Sequence, residues 1–182
     1  MGKGIVEKLK KDFSISEQWV GYELHPETPA EGVAIKDALP DVNMERMISN
    51  LNNAGAPYNI MFNKIDTMCN TRLALEASEF AKDQGKFEQL HNNIFKAYFT
   101  ENKNIGKLEV ILDIAETAGL DKNELRKALK EKEYSPRLTE AITYGKQFQV
   151  AGLPTFIING NKKLVGAQPY QKFVEAIESS IN

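Results

Sequence analysis

Cys69 is the only sulfur nucleophile in the 182-residue sequence. It stands just ahead of an apolar-periodic run beginning near Thr71, where the positive end of a helix dipole would lower a thiol pKa. A lone cysteine is more commonly a small buried hydrophobe. One thiol cannot form a Cys-x-x-Cys pair, an internal disulfide or a cysteine zinc site. The adjacent Asn70 is of the type that caps a helix N-terminus. His25 falls in a proline-rich loop and His91 on the polar side of a helical stripe, and neither has a Ser, Cys or Asp partner at a diagnostic spacing. Gly152, Gly160 and Gly166 read as turn and strand-end glycines and do not make a phosphate loop. Trp19 and Tyr22 read as core residues. The residue types by themselves therefore assemble no catalytic constellation and no metal site.

The elements that must position these residues belong to one soluble-type domain. Hydrophobic residues are 42% and charged residues 26% of the chain, ordinary for a globular protein large enough to bury a core without staples. The net charge of −2 is spread along the helices, so nothing favours nucleic acid or an anionic membrane surface. No run approaches the length needed to cross a bilayer and no signal-peptide h-region opens the chain. The expected compartment is the cytoplasm.

The chain opens inside a helical pattern, with Ile5, Val6, Leu9 and Phe13 on one face. Gln18–Leu24 reads as a short strand carrying Trp19, Val20, Tyr22 and Leu24, and His25–Pro40 as a loop. A helical block follows. It comprises a helix near 43–53, an extended or turn-like Tyr58–Phe62, and a helix over Thr71–Gln84 closed by Gly85. A stripe of Phe87, Leu90, Ile94 and Tyr98 comes next, then one of Leu108, Ile111, Leu112 and Ala115 ending at Gly119. Asp121 with Glu124 resembles a capping box, and Ser135-Pro136 reads as a cap followed by a first-turn proline. Thr155–Ile158 and Lys162–Val165 form a hairpin about Asn159-Gly160, and Pro169 starts a last helix with Phe173, Val174 and Ile177. The order predicts an α/β domain with an inserted helical subdomain: residues 1–40 and 145–182 as one part, residues 41–144 as the insertion.

Three stretches carry a family resemblance that spans nearly the whole chain. Val150–Phe173, with Gly152, Leu153, Pro154, Asn159, Gly160, Gly166, Gln168 and Pro169, resembles the C-terminal half of DsbA-like thioredoxin domains. Asn70–Gly85 looks like the helical insertion of the cytoplasmic branch, which includes FrnE-like oxidoreductases and 2-hydroxychromene-2-carboxylate isomerases. Tyr22–Pro29 resembles the strand and loop before that insertion.

The resemblance implies a thioredoxin-like fold with a large all-helical subdomain. It also implies a cis peptide bond at Leu153-Pro154 and a substrate groove at Leu153, Pro154 and Thr155, with Asn70 as a further lining residue. The implied activity is protein thiol–disulfide exchange through a mixed disulfide, with a thiol or disulfide peptide, or glutathione, as partner and no resident cofactor. The alternatives are a glutathione-dependent isomerase or kappa-type transferase, and a non-catalytic peptide-binding module. In the family a first strand and the active-site motif, with Cys or Ser at its first position, precede the first helix. Here both would fall upstream of Met1, so the sequence as given is expected to be truncated and inactive, with no catalytic residue of its own. In such folds the first strand is central. Its absence would leave Gln18–Leu24 and Thr155–Ile158 without a neighbour, and three remedies are expected: direct pairing of the two, a homodimer that donates a strand, or a captured peptide.

Overall fold

The computed structural model describes residues 1–181. Helix α1 (Gly2–Asp12) turns Ile5, Val6 and Leu9 inward and ends where Phe13 becomes extended, its N–H still donating to Leu9 O. The predicted strand at Gln18–Leu24 is the first correction: the segment forms no regular element and belongs to no ladder. A strand needs a neighbouring backbone to bond, and here side chains supply the anchorage instead. Lys82 Nζ donates to Trp19 O at 2.8 Å, and Arg72 pairs with the buried Glu23 at 3.0 Å. Val20 is exposed.

The predicted loop 25–40 contains structure that its prolines and glycine conceal. Strand β1 (Val33–Ala34) pairs antiparallel with β2 (Thr67–Met68), Val33 opposite Met68, and a single helical turn, α2 (Ile35–Ala38), follows. Helix α3 (Met44–Gly55) is capped by the Asn43 side chain, which accepts from Arg46 N, and runs into a 3₁₀ turn at Ala56–Tyr58.

The helical block is built from α4 (Arg72–Asp83), α5 (Phe87–Phe99), α6 (Leu108–Thr117) and α7 (Lys122–Lys130). Asp121 caps α7 by accepting from both Asn123 N and Glu124 N. These helices share one core that includes Ala77, Phe80, Leu90, Ile111, Leu112 and Leu125. Helix α8 (Ser135–Gln147) starts at Ser135 itself. The expected Ser135 cap is not made, because its hydroxyl accepts from the Arg72 guanidinium.

The end of the chain is a hairpin of β3 (Thr155–Ile158) and β4 (Lys162–Val165), with Ile158 opposite Lys162, followed by α9 (Tyr170–Ile181). Phe156 and Ile158 of β3 pack with Phe173 and Ile177 of α9 and with Ile5 and Leu9 of α1, a second and smaller core. Direct pairing of Gln18–Leu24 with β3 does not occur. Among the described residues β3 bonds only β4, and its other edge carries no partner.

Candidate functional site

The site grows from the turn that leads α8 into β3. Phe148 and Val150 close the helix by donating to Gly145 O, and the chain crosses to the hairpin through Gly152, Leu153 and Pro154. The Leu153-Pro154 peptide bond is cis. Two bonds hold the turn in shape: Thr155 Oγ1 donates to Gly152 O at 2.6 Å, and Gly166 N donates to Pro154 O at 2.7 Å. Leu153 is left out of this network. Its side chain is half exposed, and among the described residues neither its N–H nor its carbonyl takes a backbone partner. A backbone that offers a free donor and a free acceptor side by side is one edge of a two-stranded ladder.

Facing this turn is the N-terminal end of α1. A Cβ on Gly2 would lie 3.3 Å from Pro154 Cβ and Cγ and from Phe156 Cζ, so the first turn of the helix rests directly on the proline, and only a glycine allows that approach without a shift. The first N–H groups of a helix have no intrahelical acceptor and carry a partial positive charge. The arrangement sets an anion-favouring helix end beside a free peptide-pairing edge.

The other residues singled out from the sequence lie elsewhere. Both ends of the Asn70 amide are engaged: Nδ2 donates to Thr28 O at 2.6 Å and Oδ1 accepts from Arg72 N at 2.9 Å. Cys69 is buried, with Sγ 3.7 Å from Thr67 O. Desolvation pushes its pKa up, against weaker opposing hydrogen bonds from the backbone of Ile105 and Gly106. His25 is exposed and bonds Glu27 at 3.1 Å. Among the described residues no group of three or more His, Cys, Asp or Glu could hold a metal ion, and no helix is long and apolar enough to cross a membrane.

Two features escaped sequence reasoning. Gly2 carried no signal, because a lone glycine near the start of a helix has no periodicity to interpret. His91, read as lying on a polar face, belongs to a second apolar face of α5: Phe87, His91, Phe95 and Phe99 follow at i, i+4 spacing with successive ring centroids 5.3, 4.5 and 5.5 Å apart. The first stripe masked this one, since α5 is apolar on two sides. Trp19 crosses over to it, 5.2 Å from the His91 ring.

A helical block inserted before a proline-led hairpin, with the N-terminal end of α1 resting on that proline, defines a DsbA-type thioredoxin fold. The DsbA-like thioredoxin domain model matches residues 1–178, and the chain belongs to that family. The chain is 27% identical over 179 residues to the uncharacterized protein YwbO of Bacillus subtilis (strain 168), covering 97% of this chain and 88% of the relative. Among solved structures, a "probable DsbA oxidoreductase" from Streptomyces coelicolor superposes with a TM-score of 0.90 at 21% identity, over 99% of this chain and 83% of that one. A 2-hydroxychromene-2-carboxylate isomerase superposes with a TM-score of 0.71 at 16% identity, over 98% and 85% of the two chains. At these identities the two structures speak to the fold.

Proposed function

We propose that this protein is the substrate-docking body of a cytoplasmic thiol–disulfide oxidoreductase, with an extended cysteine-containing peptide as its partner. The observation that carries the reading is the unpaired backbone of Leu153, presented beside the proline on which α1 rests. An extended peptide would pair its backbone with Leu153, which places its sulfur over the open end of α1, where the helix dipole favours a thiolate. Exchange requires a thiolate to attack a disulfide sulfur, with the displaced sulfur leaving as thiolate. Cys69 is buried away from this turn, so the attacking sulfur comes from outside residues 1–182 and these residues alone do not turn over. A single cysteine also suits a reducing compartment.

The same free donor and acceptor match the cysteinyl backbone of glutathione, which keeps the glutathione-dependent isomerase as the second reading. Amide chemical-shift mapping separates them. With an S-methylcysteine hexapeptide, shifts are expected at Gly152, Leu153 and Thr155 and at Gly2 and Lys3. S-methylglutathione shifting the same amides at lower concentration favours the second reading. Neither ligand moving these amides overturns both.

A further inference from the structure

Beside the first turn of α1 opens a cleft of about 630 Å³, bordered by Lys3, Trp19, Lys82, Phe87, His91 and Arg137. Its volume is that of a small-molecule or side-chain pocket. The aromatic wall comes from two elements: Trp19 from the segment 18–24, and Phe87 and His91 from α5. Phe87 and His91 are stacked at 24° with centroids 5.3 Å apart, and Trp19 is tilted 44° to His91.

The charges around this wall are already matched. Lys3 pairs with Glu88 at 3.0 Å and Lys82 with Glu79 at 2.5 Å. Arg137 pairs with Asp83 at 2.8 Å, and Glu17 with Lys10 at 3.2 Å. A bound carboxylate or ammonium would have to break one of these pairs, so the cleft suits an uncharged guest. Three uncharged polar groups of the cleft are left without a partner among the described residues, the Gln18 amide, the Trp19 indole N–H and His91, and His91 is the one set in the aromatic wall that can accept a hydrogen bond. Among the described residues no side chain or backbone group bonds its ring nitrogens, and they are not sealed from the cleft, since the Thr28 hydroxyl is the only enclosed polar side-chain atom without a partner. Desolvation, and then Lys3, hold the imidazole pKa at about 4. The ring is therefore neutral at physiological pH and offers one acceptor nitrogen and one donor.

We propose that this cleft binds an uncharged phenol-type ring, a tyrosine side chain of the extended peptide, stacked on the Trp19–Phe87 wall with its hydroxyl donating to His91. Tyrosine as the source rests on the reading of the Leu153 turn as a peptide-docking edge; the binding of the ring does not. Continuity supports that source, because the first turn of α1 borders both places, Gly2 against Pro154 and Lys3 in the cleft wall.

Trp19 is the only tryptophan in the chain, so its fluorescence, excited beyond tyrosine absorption, reports the cleft directly. The probes are N-acetyltyrosinamide, N-acetylphenylalaninamide, N-acetylalaninamide and 4-hydroxybenzoate, added to the full chain. A saturable change is expected with the tyrosine amide. The phenylalanine amide, which leaves His91 unbonded, should bind about fivefold to tenfold more weakly, in line with one lost hydrogen bond to a neutral group. No saturation is expected with the alanine amide, and 4-hydroxybenzoate should bind no more tightly than the tyrosine amide. His91→Gln, which keeps a hydrogen-bonding end but loses the stacked ring, should weaken the tyrosine amide at least fivefold. Phe87→Leu, which keeps His91 and apolar volume, should do likewise with an unchanged far-ultraviolet spectrum. A tyrosine amide that does not saturate, that binds no better than the alanine amide, or whose affinity both variants leave unchanged, overturns the proposal. None of these readouts involves the Leu153 amide, so the cleft and the docking edge can fail separately.

Discussion

His91 is a base whose surroundings oppose its protonation. Desolvation and the Lys3 charge lower its pKa from 6.5 to about 4, while Glu88 and Glu17 work in the opposite direction. Because the unfolded chain takes up the proton first, the folded state is fully favoured above about pH 6.5. That advantage is eroded as the pH falls from 6.5 towards 4. The urea midpoint should therefore drop between pH 7 and pH 5, and His91→Gln should drop less; equal slopes for the two proteins would contradict the placement of the ring. Cys69 gives the complementary expectation. Its thiol pKa is raised by burial, so the native protein should react with an aromatic disulfide reagent only as fast as it opens, and readily in urea. With that one sulfur the residues 1–182 should not reduce insulin, and turnover abolished by Cys69→Ser would refute this.

At the scale of elements, the segment 18–24 joins no ladder, and its position depends on side chains. Arg72 reaches Glu76 at 2.7 Å, Glu23 at 3.0 Å and the Ser135 hydroxyl, joining that segment to α4 and α8. Both carboxylates are buried. Arg72→Met would leave two buried acids unpaired, and about 3 kcal/mol of stability should be lost in chemical denaturation. Loss below about 1 kcal/mol would mean that the segment is held by something else. Gly145 is a second anchor. It lies inside α8, where alanine is ordinarily favoured by about 1 kcal/mol, but a Cβ there would overlap the Tyr22 ring. Displacing that ring costs about 1–3 kcal/mol. Gly145→Ala should therefore destabilise the protein, contrary to helix propensity.

The whole molecule has two unequal cores. Among the described residues, nineteen buried residues form the core of the helical block and four form the core of α1, β3 and α9. Local opening follows local burial, so hydrogen exchange should be slowest in α4–α7 and distinctly faster in α1 and the hairpin. The candidate site thus lies on the less stable part. β3 keeps an unpaired edge, and such edges recruit other strands. We expect a weight-average mass in sedimentation above the 20.4 kDa of one chain, falling back when an extended peptide is added. A strict monomer at all concentrations would count against the edge being available.

Much of this was legible in the sequence because its causes are local. Apolar periodicity placed α4 to α7, Asp121 announced the start of α7, and the pair Asn159-Gly160 announced the hairpin, where both residues take positive φ. The turn at Gly152, Leu153 and Pro154 was marked by the family resemblance, and its approach to α1 came from the tertiary structure. Other features depend on what lies across from a residue, which no period encodes. Gln18–Leu24 has the alternation of a strand, yet ladder formation needs a second backbone, and its place is taken by Lys82 and Arg72 from 49 to 63 positions away. β1 and β2 are two residues each, too short for any periodic signal. His91 looked polar because the first stripe of α5 pointed elsewhere; only the packing of Trp19 against α5 made it part of an aromatic wall. Helices and turns are set by neighbours in sequence, whereas strand pairing, buried charge and the clefts between elements are set by neighbours in space.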